Sequence, residues 1–132
     1  MNAVFADTFY WIALTNPTDA AHERAREFTN DIVTTEEVLT EYLNYFCDGP
    51  AHLRRKASLV VETVFDDPSV RLVPQSHDTF RAGLALYRAR PDKGYSLTDY
   101  ISMQTMYREE LTDVLTNDRH FEQEGFRALF RT

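Results

Sequence analysis

Four short apolar or β-branched runs constrain this chain most. They are Ala3 to Ala6, which ends at Asp7; Asp31 to Thr35; Val70 to Val73, which ends at Pro74; and Val114 to Thr116, which stops at Asn117-Asp118. Ala3 to Ala6 shows no solvent-facing alternation and predicts a strand buried on both faces, and the other three read as short strands. Helix-length stretches separate them. Strands alternating with helices imply a mostly parallel sheet with helices on both sides. A terminal strand over Phe126 to Phe130 would be the fifth. The expected fold is therefore α/β: a three-layer α/β/α sandwich around a five-stranded, mostly parallel sheet. The first strand should lie centrally, flanked by the second and fourth.

The intervening helices can be placed from caps and breakers. Thr8 to Leu14 predicts a short helix with Phe9, Ile12 and Ala13 on one side. Asn16-Pro17-Thr18-Asp19 is a turn, and Thr18 can cap a second helix running to about Phe28. Thr34 with Glu37 matches a capping box for a helix to about Phe46. Asp48-Gly49-Pro50 breaks it, and Ala51 to Phe65 predicts the next helix. A long helix is expected over His77 to Arg90, with Phe80, Leu84 and Tyr87 as its buried stripe. Ser96 can cap the following helix, with Asp99 at its third position. After Asp118 a turn containing Gly125 is expected.

A chain of 132 residues suits one domain with one core, spanning residues 1–132. No apolar run is long enough to cross a membrane. The N-terminus lacks a basic region and reaches an acid at Asp7, which predicts no secretion signal. The single cysteine, Cys47, favours a reducing compartment, hence a cytoplasmic location. The formal charge is −7. A protein holding nucleic acid by bulk charge is usually basic, so bound cations or a local basic surface would have to do that work here. The densest basic run, His52-Leu53-Arg54-Arg55-Lys56, reads as a solvated helix face.

Four acids fall where such a sheet would bring them together. Asp7 follows the first strand and Asp118 follows the fourth. Asp99 opens the helix that precedes the fourth strand, and Glu41 lies on the helix after the second. In open α/β sheets the carboxyl ends of the strands are where ligands bind. Four carboxylates suit a hard cation such as Mg²⁺ or Mn²⁺. Zinc is excluded by the lack of any paired Cys or His motif. Phosphodiester hydrolysis is the chemistry that such a cluster serves, because the metal polarises the phosphate and acidifies a bound water. Each acid also has a plainer use. Asp7 can cap the first helix, Asp99 can complete a capping box with Ser96, and Asp118 can shape a turn. Glu37 is assigned to a cap with Thr34, which leaves Glu41 for the site. Asp113, at the start of the fourth strand, is structural. His120 is assigned to surface or packing use, and Phe9, Tyr10 and Trp11 to core or dimer contacts rather than base stacking.

These segments resemble the PIN domain family, and within it the VapC-type toxins of bacterial and archaeal toxin–antitoxin pairs. The matching residues are Val4-Phe5-Ala6-Asp7-Thr8, Val38-Leu39-Thr40-Glu41, Ser96-Leu97-Thr98-Asp99 and Leu115-Thr116-Asn117-Asp118-Arg119-His120-Phe121, with Gly125-Phe126 after them. They span essentially the whole chain. The resemblance implies a five-stranded parallel sandwich and metal-dependent cleavage of RNA. It places the family's acidic quartet on Asp7, Glu41, Asp99 and Asp118, and its hydroxyls on Thr8, Ser96 and Thr116. It also implies a cognate antitoxin and a homodimer formed through the helical layer.

Two other functions compete. A receiver-type signalling module is also a small α/β sheet with clustered acids, but it needs a phospho-acceptor Asp at the end of the third strand, where this chain has Leu72-Val73-Pro74. The other is an RNA-binding or interaction scaffold of the same fold without nuclease activity, against which the intact set of four acids argues.

Overall fold

The computed structural model describes residues 3–131. Five strands form one sheet in the order β3-β2-β1-β4-β5, where β1 is Val4–Ala6, β2 Ile32–Thr35, β3 Val70–Val73, β4 Asp113–Leu115 and β5 Arg127–Ala128. All four pairings are parallel. The sheet is therefore wholly parallel, and β1 is central between β2 and β4, as the apolar run predicts. Every residue of β1 and of β2 is buried. Successive strand residues face opposite sides of a sheet, so helices must cover both sides, and the architecture is a three-layer α/β/α sandwich. The helices are α1 (Thr8–Thr15), α2 (His22–Glu27), α3 (Glu36–Tyr45), α4 (Ala51–Asp66), α5 (His77–Ala89), α6 (Leu97–Arg108) and α7 (Arg119–Gln123).

Register sets the functional edge. Ala6 pairs with Leu115, so Asp7 and Thr116 leave their strands side by side. Asp113 pairs with Arg127 at the opposite edge and forms an ion pair with it, 2.6 Å between Oδ2 and the guanidinium. Its structural assignment holds. Tyr10 and Trp11 are core residues, 4% and 2% exposed, so neither is free to stack on a base.

Several local expectations fail for identifiable reasons. Helix α2 begins at His22, not at Thr18. The Asn16 side chain takes both the Thr18 amide and the Thr18 hydroxyl, which spends Thr18 on the turn. The cap of α3 is Thr35, whose hydroxyl accepts from the Val38 amide. Strand β2 continues in register through Thr35, paired with Val73, so Thr34 is still inside the sheet. Its buried hydroxyl instead donates to the Ala6 carbonyl at 2.9 Å. Glu37 is no capping carboxylate either; it accepts a 3.4 Å bond from the Thr79 hydroxyl.

Helix α5 packs by a different face from the one expected. Phe80, Leu84 and Tyr87 are 49%, 40% and 51% exposed, and Gly83 is the buried residue. A Cβ on Gly83 would meet Ile101 Cγ1 at 2.6 Å, so the missing side chain is what lets α5 lie against α6. Residues 119–123 form a helix rather than a turn. Gly125, at φ 91°, ends it: the Gly125 amide bonds to Glu122 and the Phe126 amide to Phe121. This left-handed cap turns Phe126 back onto Phe121, 6.3 Å between ring centres. The terminal strand that follows is two residues long, shorter than expected.

Candidate active site

Local structure at the carboxyl edge follows from four hydroxyl–acid pairings. Asp7 occupies the N-cap position of α1 but makes no side-chain cap. Its Oδ2 accepts instead from the Thr116 hydroxyl at 2.8 Å. The same hydroxyl accepts from the Asp118 amide at 3.1 Å, so one buried Thr fixes two acids. Thr8, in the first turn of α1, donates to Glu41 Oε1 on α3. Ser96 caps α6 in a reciprocal box: its hydroxyl accepts from the Asp99 amide at 3.0 Å, and its amide donates to Asp99 Oδ2 at 3.1 Å. Asp118 caps α7, accepting from the His120 amide at 2.9 Å. The plainer uses considered for Asp99 and Asp118 are therefore real. Each leaves lone pairs free, because a carboxylate offers about four acceptor sites.

The acids form one electrostatic group. Burial pushes the Asp7 pKa up to about 7. The hydrogen bonds from Thr116 and from the Thr8 backbone oppose that rise, and the charges of Asp99 and Glu41 add to it. Asp99 is also raised, by burial first and then by the Asp118 charge, against the bond from Ser96 and the proximity of His120. Carboxylates that raise one another's pKa are short of positive charge. The donor set is hard oxygen, which fits Mg²⁺ or Mn²⁺. Thr8 and Ser96 each touch one of the four acids, and Thr116 touches two.

His120, expected at the surface or in packing, does pack: its ring lies 4.8 Å from that of Tyr95. It also faces the acids. His120 Nδ1 lies 3.5 Å from Asp99 Oδ2 and 3.4 Å from Asp118 Oδ1. That nitrogen is buried and has no hydrogen-bond partner among the described residues. With residues 119–123 taken as a turn, no sequence signal returns this ring over Asp118; one turn of α7 does. Tyr95 is held in place by Glu124, which accepts its hydroxyl at 2.7 Å and pairs with both Arg90 nitrogens at 2.7 Å. A cleft of about 510 Å³ opens at the opposite edge, bordered by Asp31, Arg71, Glu109 and Asp113, and none of the four acids lines it.

The PIN domain model matches residues 4–126, and the chain belongs to the PIN domain family. The fold also matches the crystal structure of Mycobacterium tuberculosis VapC20, described as a Sarcin-Ricin loop cleaving toxin. The TM-score is 0.80 at 22% sequence identity, over 93% of this chain and 95% of that one. At that identity the likeness is one of fold. No curated protein matches the chain. Family membership sets the receiver reading aside, and β3 is an edge strand that ends without an acid.

Proposed function

We propose that this PIN domain is a Mg²⁺- or Mn²⁺-dependent endoribonuclease, the toxin of a type II toxin–antitoxin pair. The observation that carries the reading is the grouping of Asp7, Glu41, Asp99 and Asp118 at one sheet edge, with Asp7 raised to about 7 by burial and by its acidic neighbours. These four would hold the cation. When bound, it supplies Lewis acidity to a phosphate oxygen and makes a water nucleophilic near neutral pH. The chain's own contribution is order. Thr8 fixes Glu41, Thr116 fixes Asp7 and the backbone of Asp118, and the α6 cap fixes Asp99. A bound cation also offsets the −7 charge locally, which lets an acidic protein accept an RNA backbone.

The chain acts as a single cytoplasmic domain over residues 1–132; among the described residues no helix is long and apolar enough to cross a membrane. The exposed residues Phe80 and Leu84 on α5 support a homodimer through the helical layer. A cognate antitoxin would set an Arg or Lys among the four acids, where the mutual repulsion favours a cation of either kind. Pull-down at low salt from the native host should recover such a small partner.

The test is cleavage of RNA by the purified chain. Activity should appear with Mg²⁺ or Mn²⁺, disappear in EDTA and return on adding metal. Metal-independent cleavage, or none with either ion, would overturn the proposal.

A further inference from the structure

We propose that His120 is a nitrogen ligand of the cation site, donating through Nδ1 beside Asp99 and Asp118, and that it tilts the site towards Mn²⁺ and later first-row ions over Mg²⁺. The inference rests on the metal-nuclease reading and extends it to a residue outside the acidic quartet.

Nδ1 is a buried polar atom without a partner, aimed between two carboxylate oxygens. A buried nitrogen left unsatisfied loses its hydration without compensation. Its distances to the oxygens decide what satisfies it. A charge-assisted N–H···O⁻ bond closes to about 2.7–2.9 Å. Here the separations are 3.5 and 3.4 Å, long for such a bond to either oxygen. Ligand atoms about 2.1 Å from a shared cation stand roughly 3.0 to 3.4 Å apart in octahedral or tetrahedral arrangements. Donor atoms of Asp99, Asp118 and His120 lie within 4.8 Å of one another, a spacing that a cation can draw in.

The lone pairs are available. Asp99 Oδ2 accepts one bond, from the Ser96 amide, and Asp118 Oδ1 accepts one, from the His120 amide. Each oxygen keeps a second lone pair. The ring is also held before any ion arrives. Tyr95 packs against it with ring centres 4.8 Å apart and planes tilted by 49°, and Tyr95 is itself fixed through Glu124 to Arg90. Ligands oriented by such outer partners bind metal more tightly. An all-carboxylate site suits Mg²⁺, and each imidazole donor moves preference along the series from Mn²⁺ to Co²⁺ and Ni²⁺.

Titration calorimetry with Mn²⁺, Co²⁺ and Mg²⁺ on wild type and His120→Ala gives the first readout. The Mn²⁺ and Co²⁺ affinities should fall by about 10–100-fold in the variant, and the Mg²⁺ affinity by much less. Pulsed EPR of the Mn²⁺-loaded wild type gives the second and needs no variant: it should show coupling to an imidazole ¹⁴N. If His120→Ala binds all three ions as tightly as wild type, or more tightly, the ring is a counter-charge to the acids and the inference is overturned. A wild type that cleaves RNA with Mn²⁺ but shows no ¹⁴N coupling sinks this inference and leaves the nuclease reading intact. A wild type that binds no cation sinks both.

Discussion

The Thr116 hydroxyl donates to Asp7 Oδ2 across 2.8 Å, joining residues 109 apart in sequence at the ends of neighbouring strands. The register that pairs Ala6 with Leu115 sets the two residues side by side. Thr116→Val removes the bond to Asp7 and the acceptor for the Asp118 amide in one step. Urea unfolding should show a loss of about 1–3 kcal/mol. RNA cleavage should fall, and the Asp7 pKa should rise further, because the Thr116 bond lowers it alongside the Thr8 backbone bond. Thr116→Ser keeps the hydroxyl and should restore both. A Val variant with wild-type stability and cleavage would show that the bond positions nothing.

The raised pKa of Asp7 makes metal-free stability depend on pH in a defined direction. Its folded value of about 7 lies above the ordinary 3.8. Between those values the folded chain holds a proton that the unfolded chain has released. Stability therefore falls as pH rises from about 4 to 7, then levels off. A shift of about 3 units corresponds to on the order of 4 kcal/mol. Asp99, also raised, acts with the same sign. Asp67 and Glu124 are lowered, so their opposite contribution is lost only under more acidic conditions. Denaturation in EDTA at pH 5, 6, 7 and 8 should show the decline, and Asp7→Asn should flatten it. A metal-free protein that gains stability from pH 5 to 8 would contradict the burial of this carboxyl.

What the sequence revealed and what it concealed divide along physical lines. The central strand was legible because Val4, Phe5 and Ala6 offer no face to water. The α6 cap was legible because Ser96 and Asp99 stand at the spacing a reciprocal box requires. The position of Asp7 and Asp118 at one edge then followed from parallel pairing alone. Contacts set by three-dimensional packing were not legible. Thr34 and Thr35 are equivalent as caps until β2 pairs through Thr35 with β3. Phe80, Leu84 and Tyr87 form a fair helical stripe, yet Gly83 permits the closer approach to α6 and takes the inner face. His120 joined the acids only because Asp118 caps a helix too short for a periodic signal.

The stripe left outside on α5 carries its own prediction. Leu84 is 40% exposed and Phe80 49%. If they form the contact between two copies, Leu84→Glu should shift the chain from dimer to monomer in sedimentation. The folded monomer should change little, by roughly 0.5 kcal/mol or less for an exposed site away from caps and core. Wild-type chain that sediments as a monomer at all concentrations would remove this role for the stripe.

Asp99 serves both a helix cap and the acidic group, and one substitution separates the two roles. Asn at this position keeps an oxygen that can accept the Ser96 amide, so the box on α6 can survive. It removes a charge that burial and Asp118 both disfavour. Metal-free Asp99→Asn should therefore melt at the wild-type temperature or above it. A cation at about 100 times its dissociation constant adds roughly 2.7 kcal/mol to the stability of a protein that binds it only when folded. Mn²⁺ should raise the melting temperature of wild type accordingly, and that rise should shrink in the variant as its affinity drops. RNA cleavage should be abolished. A residue that only capped its helix would behave otherwise: Mn²⁺ would shift both proteins equally, and the variant would still cleave. Equal metal shifts together with retained cleavage would show that the acid at the start of α6 orders the helix and holds no ion.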